Sequence, residues 1–150
     1  MHSAAGIRAD SMAGRLHLTK ENMHMSHFTS IETQIHDLAA LKSACAELGL
    51  DVVAATTARG YATNQIAAEH VIRLKGPYDI AVNRRPDGAF ELTCDWWAGH
   101  VEKEVGKNYG RLLQLYGVYK AQAEARRKGY TVRRQSLRDG SIKLTVGGIR

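Results

Sequence analysis

Hydrophobic positions recur along this chain with two different periods, and the change of period marks its elements. In "HDLAALKSACAELGL" (36–50), Leu38, Leu41, Cys45 and Leu48 step by three and four, the spacing of one buried helix face. Asp37 stands where an N-cap belongs and Gly49 where a helix stops. Before it, "SHFTSIETQI" (26–35) is rich in β-branched residues and predicts a strand. After it, "DVVAATTA" (51–58) and "HVIRLK" (70–75) predict two more, and the intervening "RGYATNQIAAE" is ambiguous.

"YDIAVNRRPDGAFELTCDWW" (78–97) reads as a hairpin around Pro86, Asp87 and Gly88. Strand alternation then places Phe90, Leu92, Cys94 and Trp96 on one face and Glu91, Thr93, Asp95 and Trp97 on the other. On this parity Cys94 and Trp96 belong to the core and Asp95 faces away from Cys94, while Trp97 either packs beneath the next helix, the favoured reading, or is partly exposed to make contacts. His100, just beyond, could reach Asp95; that pair suits ordinary capping or surface hydrogen bonding as well as chemistry.

From Val101 to Lys128 the helical period returns, with Val101, Val105, Tyr109, Leu112, Tyr116, Tyr119 and Ala123 as its apolar stripe. Gly106, Gly110 and Gly117 project onto a second line, flanked by Lys103, Lys107 and Arg111. Each glycine weakens a helix by about 1 kcal/mol relative to alanine. Either another backbone or a ligand approaches closely there, or the helix proper begins near Gly110.

The chain closes on "YTVRRQSLRDGSIKLTVGG" (130–148), a hairpin about Asp139-Gly140. A two-residue turn would set Arg133 opposite Val146. A three-residue loop with Gly140 as bulge residue sets Val132 opposite Val146 and Ser136 opposite Ile142, and this register keeps apolar residues together. It turns Arg134 inward opposite Leu144, which demands an acidic partner. The expected fold is therefore α+β, a mainly antiparallel sheet covered by two helices in the order β-α-β-β-β-β-α-β-β.

With 150 residues, 44% hydrophobic and 24% charged, the chain has the composition of one globular domain. No apolar run approaches the roughly 20 residues that cross a bilayer. Cys45 and Cys94 form neither a disulfide framework nor a zinc-type spacing, which fits a reducing, cytoplasm-like compartment. Residues 1–24 are rich in small and polar residues and lack a signal-peptide core. They read as a flexible extension or a misplaced start, with a transit peptide as the alternative, leaving 25–150 as one domain.

Charge is uneven. Residues 1–100 carry 9 Lys/Arg against 11 Asp/Glu, and residues 101–150 carry 12 against 4, so the last third is net +8. Such a surplus favours an acidic partner. Lys103, Lys107 and Arg111, joined by Arg133 and Lys143 on the outward face of the last hairpin and by Trp97, are the candidate partner-binding residues. Gly106, Gly110 and Gly117 are candidate points of close approach. No catalytic residue, cofactor or metal site is expected: P-loop, GxGxxG, HExxH and GxSxG are missing, and "HMSH" (24–27) offers only two ligands.

Three stretches, "MSHFTSIETQIHDLAALKSACAELGL", "YDIAVNRRPDGAFELTCDWW" and "GYTVRRQSLRDGSIKLTV", in this order, resemble the hypothetical chloroplast reading frame 35 (ycf35-like) family, domain of unknown function 1257. The resemblance spans roughly residues 25–147, with Met25 at the family's usual start. It implies a small domain with no established activity, in the stroma where the source is an alga, and an accessory role beside an ATPase of the AAA class. The leading expectation is a non-enzymatic adaptor that docks an acidic protein through the basic C-terminal third. The alternatives are a nucleic-acid-binding domain using the same face, disfavoured because the aromatics read as core, and an enzyme working near Asp95 and His100.

Overall fold

In the computed structural model of the chain, Ile72 stands opposite Ile80 on one side of a sheet, and Val71 stands opposite Ala81 on the other. The structure describes residues 34–62 and 64–149, with the backbone of three short strands upstream: β1 (Gly6–Arg8), β2 (Leu16–Lys20) and β3 (Phe28–Ser30). The two histidines of "HMSH" (24–27), too few for a metal site, lie outside the described residues.

Helix α1 (Leu38–Glu47) starts where its cap predicts: Asp37 Oδ1 accepts from the amide of Ala40 at 3.1 Å. It ends on Gly49, whose φ of 77° provides the left-handed stop. Strands β4 (Asp51–Val53), β7 (His70–Arg73), β8 (Asp79–Arg84) and β9 (Phe90–Thr93) follow and make one antiparallel sheet in the order β4-β7-β8-β9. The β8–β9 turn is built as expected: Gly88, at φ 90°, donates to the carbonyl of Arg85, and the amide of Arg85 donates to the carbonyl of Ala89.

The sequence "DVVAATTA" is divided. Its second half is β5 (Thr57–Arg59), which pairs with β6 (Gln65–Ala67) from the ambiguous stretch. This small hairpin covers the second face of the sheet, where Ala58, Val71 and Ala81 form their own buried cluster.

Beyond β9 the predicted helix is interrupted. A single turn, α2 (Glu102–Val105), ends at Gly106, and the long helix α3 runs Gly110–Arg127. Leu112 and Tyr116 of the expected stripe are buried, Tyr119 is half-buried and Ala123 is exposed; the buried face runs instead through Val118 to Ala125. Helices α1 and α3 pack on the Ile72, Ile80 and Val82 face, giving one core with Leu41, Cys45, Leu112, Tyr116 and Val118. Each such side chain contributes roughly 1.5–3 kcal/mol by leaving water. Tyr116 also joins the helices covalently distant in sequence: its Oη accepts from the amides of His36 and Asp37, at 3.0 and 3.1 Å.

The last hairpin is β10 (Tyr130–Ser136) with β11 (Ile142–Ile149), in the bulged register: Val132 faces Val146, Arg134 faces Leu144 and Ser136 faces Ile142. Strand β2 adds to β11 in parallel and β1 pairs with β3 in parallel; the remaining pairings are antiparallel. The acid that Arg134 requires is Glu47 at the end of α1, held by two hydrogen bonds of 2.9 and 2.6 Å. No described helix is long and apolar enough to cross a membrane.

Candidate functional site

Strand alternation stops at Thr93, and Asp95 turns the chain. Its Oδ1 accepts from the amide of Trp97 at 2.9 Å, an Asx-type bend, while Oδ2 accepts from the amide of Tyr61 at 3.0 Å. One carboxylate thus fastens the loop between β5 and β6 to the segment that leaves β9. The parity that placed Trp96 in the core therefore fails: Trp96 is 38% exposed, with its ring 4.8 Å from that of Tyr109. Trp97 is 58% exposed rather than packed beneath the next helix, and meets the half-exposed Tyr61 edge to face, with centroids 5.5 Å apart and planes at 75°.

Tyr61, Trp96 and Trp97 are the large apolar side chains that the described residues leave in water, and all three stand on these loops. Single exposed apolar residues are ordinary, whereas a contiguous group marks a contact surface. Between Tyr61 and Trp97 lies an open cleft of about 430 Å³, lined also by Asn64 and Asp95.

The backbone singles out the same place. The described non-glycine residues with positive φ are Ala62, Ala98, Asn108 and Tyr109, at 53–62°. Ala62 follows Tyr61, Ala98 follows Trp97, and Tyr109 lies under Trp96. Each left-handed residue costs about 1–2 kcal/mol, and for a side chain as large as tyrosine the conformation is uncommon. Backbone strain of this kind collects at functional sites.

The loops rest on buried polar anchors. Asp79, fully buried, receives Arg59 Nε and Nη2 at 2.9 and 2.7 Å and the Arg59 amide at 3.0 Å, with Arg73 3.7 Å away. Burial pushes the Asp79 carboxyl up, but these bonds and charges outweigh it and hold the group below the usual carboxylate range. Glu104 reaches from α2 to the amides of Lys75 and Gly76, at 2.8 and 2.9 Å.

Lys103, Lys107 and Arg111 are all exposed, but they do not line one side of a single helix. They stand on α2, on a 3-10 turn at Lys107–Tyr109 and on α3, because Gly106 breaks the helix. Gly106 adopts φ 86°, ψ 166°, and a Cβ there would lie 2.8 Å from the amide nitrogen of Arg111. Of the two readings of the glycines, the helix proper does begin at Gly110; the crowding at Gly106 comes from the next turn of its own chain, not from another backbone or a ligand. Gly110 and Gly117 are buried on α3, and the break removes Gly106 from their line. Arg133 is exposed and Lys143 partly buried on the outward face of β10 and β11, in the other sheet from the cleft.

Asp95 and His100 are not joined by a hydrogen bond; the His100 ring instead lies edge to face on Tyr78, 5.1 Å away. Cys94 is half-buried rather than fully enclosed, packs against the main core and accepts from Tyr109 Oη at 3.3 Å. Burial raises its thiol pKa, only partly offset by the tyrosine, so the thiolate needed for nucleophilic attack is disfavoured. Among the described residues no group of three or more His, Cys, Asp or Glu side chains gathers to hold a metal. Tyr61, Asn64 and the Arg59–Asp79 pair were not apparent in the sequence. The one local signal was a tyrosine amid turn-forming residues in "RGYATNQ".

A family model described as a protein of unknown function, DUF1257, matches residues 44–145, a span that contains the whole loop cluster. The uncharacterized protein ycf35 of Pyropia yezoensis is 31% identical to the chain over 124 residues, covering 81% of this chain and 96% of the relative. No solved structure matches. The motifs, the matched span and the full-length likeness agree, and the chain belongs to the DUF1257 family.

Proposed function

We propose that this chain is a non-catalytic adaptor that docks an acidic protein partner through the loop cluster at the Trp97 end of its four-stranded sheet. The observation that carries the reading is a coincidence of two independent features. The exposed Tyr61 and Trp97 are each followed by a left-handed alanine, Ala62 and Ala98, and the exposed Trp96 packs on the left-handed Tyr109. Folding gains little from either, whereas aromatic anchors set in polar surroundings are what interfaces use most. Lys103 and Lys107 sit on the same run of chain and Arg111 just beyond it, each exposed, which supplies attraction for acidic groups. An AAA-class ATPase is the first candidate to try.

Nucleic acid is the second reading, and one fact now favours it: the tryptophans are exposed rather than in the core. Against it, Asp95 lines the cleft and Glu102 is exposed beside Lys103, so the cluster is of mixed charge where a phosphate backbone wants a uniformly positive track. Replacing Lys103, Lys107 and Arg111 together by Glu tests the reading. Capture of a protein partner from native lysate should be lost, wild-type capture should weaken with salt, and the melting temperature should hardly move. Unchanged capture would reduce the cations to a solvated face. Loss of RNA or DNA in place of protein would make the second reading the right one.

A further inference from the structure

The cleft beside Trp97 differs in character from the cationic Lys103, Lys107 and Arg111. Its walls are two aromatic rings set nearly at right angles, Tyr61 and Trp97, and its remaining lining is Asp95 and Asn64. Aromatic faces are electron-rich and attract cations. Each oxygen of Asp95 already accepts one backbone amide, from Trp97 and from Tyr61, and a carboxylate oxygen has capacity for a second donor. Those two bonds also fix the backbone from which both rings project, so the corner is set before a ligand arrives. An anionic group would meet the Asp95 charge inside the cleft, and an apolar one would leave the second acceptor site on each Asp95 oxygen unused.

We propose that this corner receives the guanidinium of an arginine side chain on the partner protein, a claim that rests on the adaptor reading and sharpens it. A guanidinium is planar and weakly hydrated, so it stacks on one ring while its N–H edge turns to Asp95 and Asn64; a lysine ammonium matches that geometry less well. The partner surface is then acidic where it meets Lys103 and Lys107 and carries one arginine for the cleft. A nucleic acid lacks such a group.

The probe is acetyl-arginine-methylamide titrated into the isotope-labelled full chain, followed by the Trp97 indole N–H and the amides of Tyr61, Asn64 and Asp95. Saturable shifts confined to these groups are expected. The citrulline analogue, isosteric but uncharged, should bind at least tenfold more weakly, and the lysine analogue several-fold more weakly. Trp97→Leu and Tyr61→Leu change exposed side chains and should keep the remaining spectrum while lowering arginine affinity at least fivefold. Asp95→Asn should do the same if its loop amides hold their positions. Equal binding of citrulline, or arginine shifts that persist in Trp97→Leu and Tyr61→Leu, would overturn the proposal, and so would shifts produced by nucleoside monophosphates but not by arginine. If arginine does not bind while charge reversal at Lys103, Lys107 and Arg111 still abolishes protein capture, this inference falls and the adaptor reading stands.

Discussion

Arg134 on β10 grips Glu47 at the end of α1 across 87 residues of sequence, through two hydrogen bonds of 2.9 and 2.6 Å. Tyr119 of α3 adds a third bond to the same carboxylate at 2.7 Å, so one acid joins both helices to the last hairpin. The hydrogen bonds from Arg134 hold Glu47 below the usual glutamate range, against the upward push of partial burial. A depressed carboxylate adds stability that is complete above its unfolded pKa of about 4.3 and disappears as pH falls through the folded value. Arg134→Ala should therefore cost about 1 kcal/mol near neutral pH. The difference from wild type should close below about pH 4; urea unfolding across that range measures it.

The Arg59–Asp79 pair should be asymmetric. Arg59 is half exposed and Asp79 fully buried, so removing the arginine leaves a buried charge with only Arg73, 3.7 Å away, as its cation, while removing the acid leaves a cation that water can reach. Arg59→Ala should cost about 3 kcal/mol and Asp79→Ala distinctly less. Without the Arg59 side chain, the Asp79 carboxyl loses the hydrogen bonds and charge that most offset its burial, and keeps the residue-59 amide and Arg73. It is then less depressed, and the variant is less sensitive to acid. The wild-type carboxyl is depressed and loses stability as pH falls. The gap between the two therefore narrows in acid, which thermal melts at several pH values will show.

Gly106 and Gly88 have nearly the same positive φ, 86° and 90°, yet differ in what surrounds them. Alanine at Gly88 meets nothing within 4 Å and should cost about 1 kcal/mol from backbone strain alone. Alanine at Gly106 would press on the Arg111 amide at 2.8 Å, in a region of φ and ψ that is almost restricted to glycine. A loss of about 3 kcal/mol is expected there, with the start of α3 disturbed, as hydrogen exchange of the 110–113 amides would report.

These contrasts show which features one sequence can display. The bulged register of β10 and β11 was legible because the turn chemistry of Asp139-Gly140 and the facing of Val132 by Val146 agree locally. The need of Arg134 for an acid was legible too, but not its identity, since Glu47 approaches only when α1 packs. Trp96 was misplaced because alternation was carried past Thr93, where the carboxylate of Asp95 takes over the backbone. The break at Gly106 was hinted at by three glycines within one helical run. Asparagine favours the left-handed region, so Asn108 gave a weak signal, but the left-handed Tyr109 that completes the break has none. Tyr61 lay in a stretch whose strands are three residues long, too short for a period to register.

Burial alone raises the Cys45 thiol to about 12, and the half-buried Cys94 thiol is raised as well. Neither should react quickly at neutral pH. Labelling of folded Cys45 should follow global unfolding, and Cys94 should react well below the rate of an unstructured cysteine peptide. Fast labelling of folded Cys94 would restore the case for chemistry near it.

The account turns on whether the exposed aromatics serve contact or folding, and one paired measurement separates the two. In Trp97→Ala combined with Tyr61→Ala, the melting temperature and the capture of the protein partner are read on the same preparation. Both side chains are at least half exposed, so the melting temperature should fall by no more than about 3 °C, while capture is lost. A variant that melts much lower yet captures its partner as wild type does would contradict the account, because Tyr61 and Trp97 would then support the fold and not the partner.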